Sequence, residues 1–454
     1  MTQAYLLPPV ENHHISSSHD PSAQALHKII MENHAKHNIM WDMGMFPINI
    51  PDEHRNLAVH TLHTYHHVSS LYMLGAPPEK LHEVYTTDLM KMVEWPKPQL
   101  HLTKDNWRQH LGNKAHAAEY IDFFTRELAA HHGDWKKVIQ MYLFEGAEPL
   151  ANGLVGDLTH PLIHLGYAYE MQSKELGMEA LVLAAIHYHD LHRYLDDDDE
   201  EDDRPTPSLE NACAGPMDVI RRIRHDGRLD GAVSEQGRQN IAPLFKDYEA
   251  VMLEHWNSWN SATSVVEQLR DAYDFSVALL IGAGKPFDFF ILHVLTAIQA
   301  LRAIVPEVPE RWQRKLIRQW WLFAVTVYVI QMRPRIDTDT IDAFELKEGE
   351  DWEWVRKMAV ESPASLDAHY VKAIRSIVEA SKIGRKPQEW YLKAATIFAS
   401  DFKLYRGFGP IDGDMIEQLM TLSDSYNGGG GYKYSATKSE MNGSENYSAV
   451  DGVH

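Results

Sequence analysis

The chain has 454 residues, 44% of them hydrophobic, and a net charge of −21, so it can bury a large core. So acidic a composition opposes the phosphates of nucleic acid and an anionic membrane leaflet, and neither is expected as a partner. The one cysteine, Cys213, leaves no internal disulfide and suits a reducing compartment.

Residues 1–9 lack a basic segment followed by an apolar one, so no secretory signal is read and the expected location is cytoplasmic. Residues 1–20 read as an irregular arm. A helix is expected over 56–74, ending at Gly75 with Pro77 and Pro78 beyond it. Further helices are expected over 107–130, over 161–176 with Pro161 at the first helical position and Gly177 as the stop, and over 179–195. The acid run 196–203 reads as a solvated loop. Helical pieces follow over 234–280, then helices at 288–304, 310–332, 363–382, 387–402 and 411–423. The longest apolar run, Trp320–Ile330, is well short of the roughly 20 residues that a bilayer needs. Residues 427–454, rich in Gly, Ser and Asn, read as a disordered tail. No stretch alternates with period two, and no linker separates the helices. The expected fold is therefore all-α, a single large multi-helix domain over 21–426.

Histidines inside apolar helical patterns carry the chemistry. His60, His63 and His67 fall at i, i+3 and i+7, in line with Leu71 and Leu74. Imidazoles on such a stripe are costly to bury unless something bonds their nitrogens, and one divalent metal serves several at once. His164 sits one turn into the helix after Pro161, and His160 lies at or before its N-cap. His293 is surrounded by large apolar residues. His369 and Lys372 share a face opposite Val371, Ile374 and Val378. Taken singly, each is a core histidine bonded to a carbonyl or an acid. Taken together, inward histidines on several helices are how helical bundles build metal centres.

The metal class follows from ligand type. No cysteine pair suits structural zinc, and no acidic loop has calcium-binding spacing. Histidines with one anionic oxygen suit Fe(II), or zinc in a hydrolytic site. Two readings stay open on these residues. In one, His189 and Asp190 are the metal-binding pair of a helical phosphohydrolase, with His160 or His164 as further ligands. In the other, an iron centre activates dioxygen. No glycine-rich fingerprint follows a strand, so no built-in dinucleotide fold is read.

Three segments in order, His63 to Ala76, His160 to Glu170 and Phe290 to Thr296, resemble the questin oxidase-like family of fungal proteins. The resemblance spans most of residues 25–425. It implies an all-helical oxygenase of polyketide biosynthesis that opens the quinone ring of an anthraquinone with dioxygen. Some members are similar to mononuclear non-haem iron dioxygenases, with four histidines and a carboxylated lysine as ligands. Others are described as Baeyer–Villiger monooxygenases that draw on NADPH. The ligand set implied here is His63 or His67, then His164, His293 and His369, with Lys372 as the carboxylated lysine. Together they hold Fe(II) with one position open to dioxygen. The implied partner is a small aromatic polyketide, and Tyr167, Phe289 and Phe290 near the motifs are candidates to stack on it.

Overall fold

Asp20 opens the first helix, α1 (Pro21–Lys36): its carboxylate accepts from the Ala23 N–H, and proline stands at the first helical position. The computed structural model describes residues 10–39, 63–89, 92, 94–146, 148–196, 215–259, 263–403 and 408–409. The expected helix over 411–423, the tail 427–454, residues 56–62 and nearly all of the acid run lie outside the described residues. Of the N-terminal arm, Ile15 is buried and the His13 N–H donates to the Glu170 carbonyl at 2.7 Å.

After α1 come α2 (His63–Met73) and α3 (Pro78–Leu89), then α4 (Ala117–Ala130), α5 (Trp135–Leu143), α6 (Gly156–Met171) and α7 (Lys174–Ile186). Three short helices follow: α8 (Pro216–Arg224), α9 (Ile241–Asp247) and α10 (Glu249–Asn257). The long helices α11 (Val265–Gly282), α12 (Phe289–Ile304) and α13 (Glu310–Ile330) precede α14 (Asp339–Asp342), α15 (Trp352–Glu361), α16 (Ala368–Ile383) and α17 (Gln388–Asp401). Among the described residues the one pair of strands is β1 (Phe287–Asp288) running parallel to β2 (Phe408–Gly409). The fold is all-α, as the patterning predicts.

Three expected helices have other bounds. Residues 107–116 form two 3-10 turns rather than the start of α4. Gly112 breaks the helix there with φ +76°, and a Cβ on it would lie 2.8 Å from the Tyr188 carbonyl oxygen. α6 ends at Gln172, in a left-handed conformation, instead of at Gly177. Ser173 then caps α7, so Gly177 lies inside that helix, where Trp135 packs on it. The expected helix 179–195 stops at Ile186 and gives way to a 3-10 turn over Asp190–Tyr194. Among the described residues one stretch, Phe289–Glu307, is long and apolar enough to cross a bilayer, although no run looked long enough in the sequence. It is the central core helix, largely buried by its neighbours.

α12 lies along α6 and also touches α11, α13 and α16, while α16 packs on α2 and α17. The α6–α12 crossing is close because Gly166 has no side chain: a Cβ there would lie 2.7 Å from Ala300 Cβ and 2.8 Å from Ala300 Cα. Polar groups pin the same helices internally. Buried Arg375 on α16 pairs with buried Glu170 on α6. Gln299 on α12 donates to that carboxylate at 3.1 Å and accepts from Tyr273 at 2.6 Å. The Gly166→Ala variant tests the crossing. Helix propensity alone favours alanine by up to about 1 kcal/mol, but overpacking opposes it by about 1–3 kcal/mol. Denaturant unfolding is expected to show net destabilisation, the reverse of the propensity effect.

Candidate metal centre

Four helices bring nitrogen donors to one buried place. His63 starts α2, His160 lies in α6, His293 in α12, and His369 and Lys372 in α16; each is at most 1% exposed. One ring nitrogen from each of His63, His160 and His293 lies within 4.8 Å of the others. His63 Nε2 is 3.3 Å from His160 Nε2, and the Lys372 Nζ is 3.0 Å from His63 Nδ1. The His369 ring centroid is 4.2 Å from that of His63 and 5.3 Å from that of His293.

Tautomers follow from the partners behind these rings. A carbonyl oxygen only accepts, so the His293 Nδ1–H donates to Phe289 O at 2.8 Å. Its Nε2 is therefore a bare lone pair, buried and without a hydrogen-bond partner. His160 likewise donates its Nδ1–H to the Asp157 carbonyl, with the Asp157 carboxylate 3.4 Å from the same nitrogen, and turns its Nε2 toward His63. Asp367 stands behind His369, 3.6 Å from its Nδ1. Burial, then the charge of Lys372, holds the pKa values of His63 and His293 well below the usual imidazole range. Burial also lowers the Lys372 amine to about 7.

This donor set fits a divalent transition metal. Neutral imidazoles with one nitrogen tied to an oxygen behind them are the form that ligates. Two nitrogens at right angles, each about 2.1 Å from an ion, are about 3 Å apart, and His63 Nε2 and His160 Nε2 are 3.3 Å apart.

The backbone that delivers His160 is strained. Asp157, Leu158 and Thr159 take φ values of 46, 54 and 66°, left-handed conformations that cost roughly 1–2 kcal/mol each for such residues. Gly156 makes the turn possible, since a Cβ on it would lie 2.3 Å from the His187 carbonyl oxygen. The Asp157 carboxylate, 3.4 Å from His187 Nε2 as well as from His160, sits below the usual carboxylate range; burial opposes that shift and these histidines outweigh it.

The other expected ligands lie elsewhere. His164 places Nδ1 3.1 Å from His66 Nε2 and Nε2 3.2 Å from Glu179, so both its nitrogens are engaged away from the trio. His67 donates Nε2–H to the Ser365 carbonyl at 2.8 Å, tying α2 to the segment before α16. The structure therefore gathers His63, His293, His369 and Lys372, and adds His160, which the sequence left at a helix boundary. His189 and Asp190 do not form the pair a phosphohydrolase needs: His189 Nδ1 accepts from the Leu191 N–H at 3.2 Å, and Asp190 is exposed. Tyr167 is closed off by its neighbours, bonded to Ser70 at 2.6 Å and stacked on His66. Phe289 and Phe290 are half-buried, and Phe289 packs against both His293 and His369.

The sequence pattern of the family described as questin oxidase-like matches residues 62–377, across all of these donors. The chain belongs to the questin oxidase-like family. It is similar to the oxidoreductase AflY of Aspergillus parasiticus, with 25% identity over 82% of this chain and 75% of that protein. A questin oxidase of Aspergillus fumigatus is 23% identical over 81% of this chain and 83% of its own length. A Baeyer–Villiger oxidase of Paecilomyces divaricatus is 23% identical over 74% and 77%. These relatives are oxidoreductases by name, and the family membership counts against the phosphohydrolase reading.

Asp288 caps the helix that carries His293, accepting from the Phe290 and Ile291 N–H groups, and burial raises its carboxyl from 3.8 to about 6. A raised carboxyl pKa means that the folded state holds the proton more tightly. Its contribution to stability is thus present below about pH 4 and lost as pH rises through about 6. Asp288→Asn keeps a cap that does not titrate. Metal-free Asp288→Asn is expected to gain stability relative to the parent between about pH 4 and about pH 7, as read from denaturant midpoints.

Proposed function

We propose that this protein is a non-haem iron dioxygenase that cleaves the quinone ring of an anthraquinone-type fungal polyketide. The observation that carries the reading is the pair of Nε2 lone pairs on His160 and His293. Each is set by an Nδ1–H bond to a backbone carbonyl, and one ring nitrogen of each lies within 4.8 Å of the other's and of one from His63. The residues that would hold Fe(II) are His63, His160, His293, His369 and Lys372. When bound, Fe(II) supplies the one-electron chemistry that makes dioxygen reactive toward an aromatic carbon.

The chain's own residues do the rest. Lys372 is buried with an amine lowered to about 7, so its neutral form is accessible. That amine adds carbon dioxide: an Nζ–C bond forms, one proton leaves, and the resulting carbamate is the one anion in a set of imidazoles. Burial of every donor keeps bulk water from the reacting centre. Phe289, half-buried against His293 and His369, offers a face to a planar substrate. The relatives called questin oxidase support the substrate class.

A second reading rests on the relatives called Baeyer–Villiger oxidases: an NADPH-dependent monooxygenase on the same class of substrate. Labelled dioxygen separates the two. With the substrate supplied as its hydroquinone, which brings the two hydrogens that the opened product needs, dioxygenation is expected to place both oxygen atoms in the cleaved product with no NADPH oxidised. One labelled atom and one NADPH consumed per turnover would establish the monooxygenase instead. Lys372→Ala is expected to retain less than about a tenth of wild-type iron, since loss of the one anionic ligand costs well over 1.4 kcal/mol of binding. Full iron and activity in that variant would remove the carbamate from the account.

A further inference from the structure

His160 and His164 stand one helical turn apart on α6, and each ring has a buried carboxylate beside it. Glu179 lies 3.2 Å from His164 Nε2, and Asp157 lies 3.4 Å from His160 Nδ1. The two carboxylates differ in that only Asp157 stands behind a candidate ligand. Its Oδ2 is also 3.4 Å from His187 Nε2, at the end of α7, and its Oδ1 is 3.8 Å from Arg238 Nη1, in the 3-10 turn Arg238–Asn240. Its side chain is 7% exposed. Three elements therefore meet at one carboxylate.

The backbone is bent to put it there. Asp157, Leu158 and Thr159 are all left-handed, and strain of this kind persists where the surroundings over-determine it, often at functional sites. The Cβ-free Gly156 lets the turn lie against the His187 carbonyl. What the bend achieves is an anion against the outer nitrogen of one ligand. His293 has a neutral group in that place, the Phe289 carbonyl. A carboxylate behind an imidazole fixes the ring's orientation and makes its inner nitrogen a stronger electron donor. Because the group is buried, water does little to screen its charge from an ion held by the ring. That charge stabilises Fe(III) more than Fe(II).

We propose that Asp157 is a positioning residue of the iron centre, which holds His160 toward the ion and lowers the potential at which Fe(II) is oxidised. The inference rests on the iron reading given above. The electron lost as Fe(II) becomes Fe(III) is taken by dioxygen, which is reduced to superoxide, and a lower potential favours that transfer. Arg238 acts in the opposite sense, since its cation offsets part of the carboxylate's charge; at 38% exposed it is partly screened by solvent. The two residues move the potential in opposite directions, Asp157 by more.

Asparagine at position 157 keeps the size of the side chain and removes its charge. The Fe(III)/Fe(II) midpoint potential is measured in iron-loaded protein, under nitrogen with redox mediators. Asp157→Asn is expected to favour Fe(II) about tenfold more than wild type does, a positive shift of about 59 mV. Glu179→Gln removes the buried carboxylate beside His164 instead, and its shift is expected to be less than half as large. A merely structural role for Asp157 would lower iron content without moving the potential of the iron that remains. Equal potentials in wild type and Asp157→Asn, or an equal shift in Glu179→Gln, overturn the proposal. Should Asp157→Asn not fold or not hold iron, Arg238→Gln carries the test: its potential is expected to fall, and an unchanged or higher value overturns the proposal. A wild type that takes up no iron overturns this inference together with the reading beneath it. A wild type that shows the expected potentials but leaves the hydroquinone of a hydroxyanthraquinone uncleaved counts against the proposed reaction alone.

Discussion

Five nitrogen donors are held out of water at the meeting point of four helices, and the acids near them stand behind the rings. Asp157 backs His160 and Asp367 backs His369. Burying an ammonium and several imidazoles without an anion among them is costly, since burial penalises every charged form. The cost is met here by neutrality: His63 and His293 stay uncharged, and the Lys372 amine falls to about 7. Neutral nitrogens with lone pairs facing one another form a site that favours a cation. The electrostatic constraint and the fit of the donor set to a metal ion are the same property.

Helix packing keeps those lone pairs in register. α6 supplies His160 and α12 supplies His293, and the two helices approach closely only because Gly166 meets Ala300. A left-handed turn at Asp157–Thr159 then swings His160 inward. Non-glycine residues hold such conformations only where surrounding structure over-determines them. Here Asp157 is fixed by His187 as well as by His160. The Arg375–Glu170–Gln299 network does similar work, joining α16 to α6 and α12.

Much of the helical order was legible in the sequence, because apolar periodicity and caps are local. Asp288 and Pro161 mark helix starts that the structure keeps or shifts by a few residues, while the expected start at Pro363 gives way to a 3-10 turn over Pro363–Leu366 before Asp367 caps α16. Boundaries went wrong where a glycine serves a tertiary contact rather than a stop, as at Gly177 beneath Trp135. The candidate site was legible for His293, which large apolar residues surround, whereas His369 and Lys372 share the face opposite the Val371, Ile374 and Val378 stripe and were named as ligands by the family resemblance. His160 was not, since three left-handed residues cannot be read from a Gly-Asp-Leu-Thr segment. His67 and His164 look like ligands by phase and composition alike. What engages them, the Ser365 carbonyl and Glu179, is distant in sequence, and no local pattern announces either partner.

The family membership makes the chain an oxidoreductase, and the buried nitrogen cluster is the centre proposed for its chemistry. The most direct test of that centre compares two histidines one helical turn apart on α6. Iron content per chain is measured in His160→Gln and His164→Gln after both are shown to be folded by circular dichroism. The account predicts near-stoichiometric iron in His164→Gln and less than about a tenth of that in His160→Gln, a difference of more than 1.4 kcal/mol in binding. Full iron in His160→Gln, or its loss from His164→Gln alone, would contradict it.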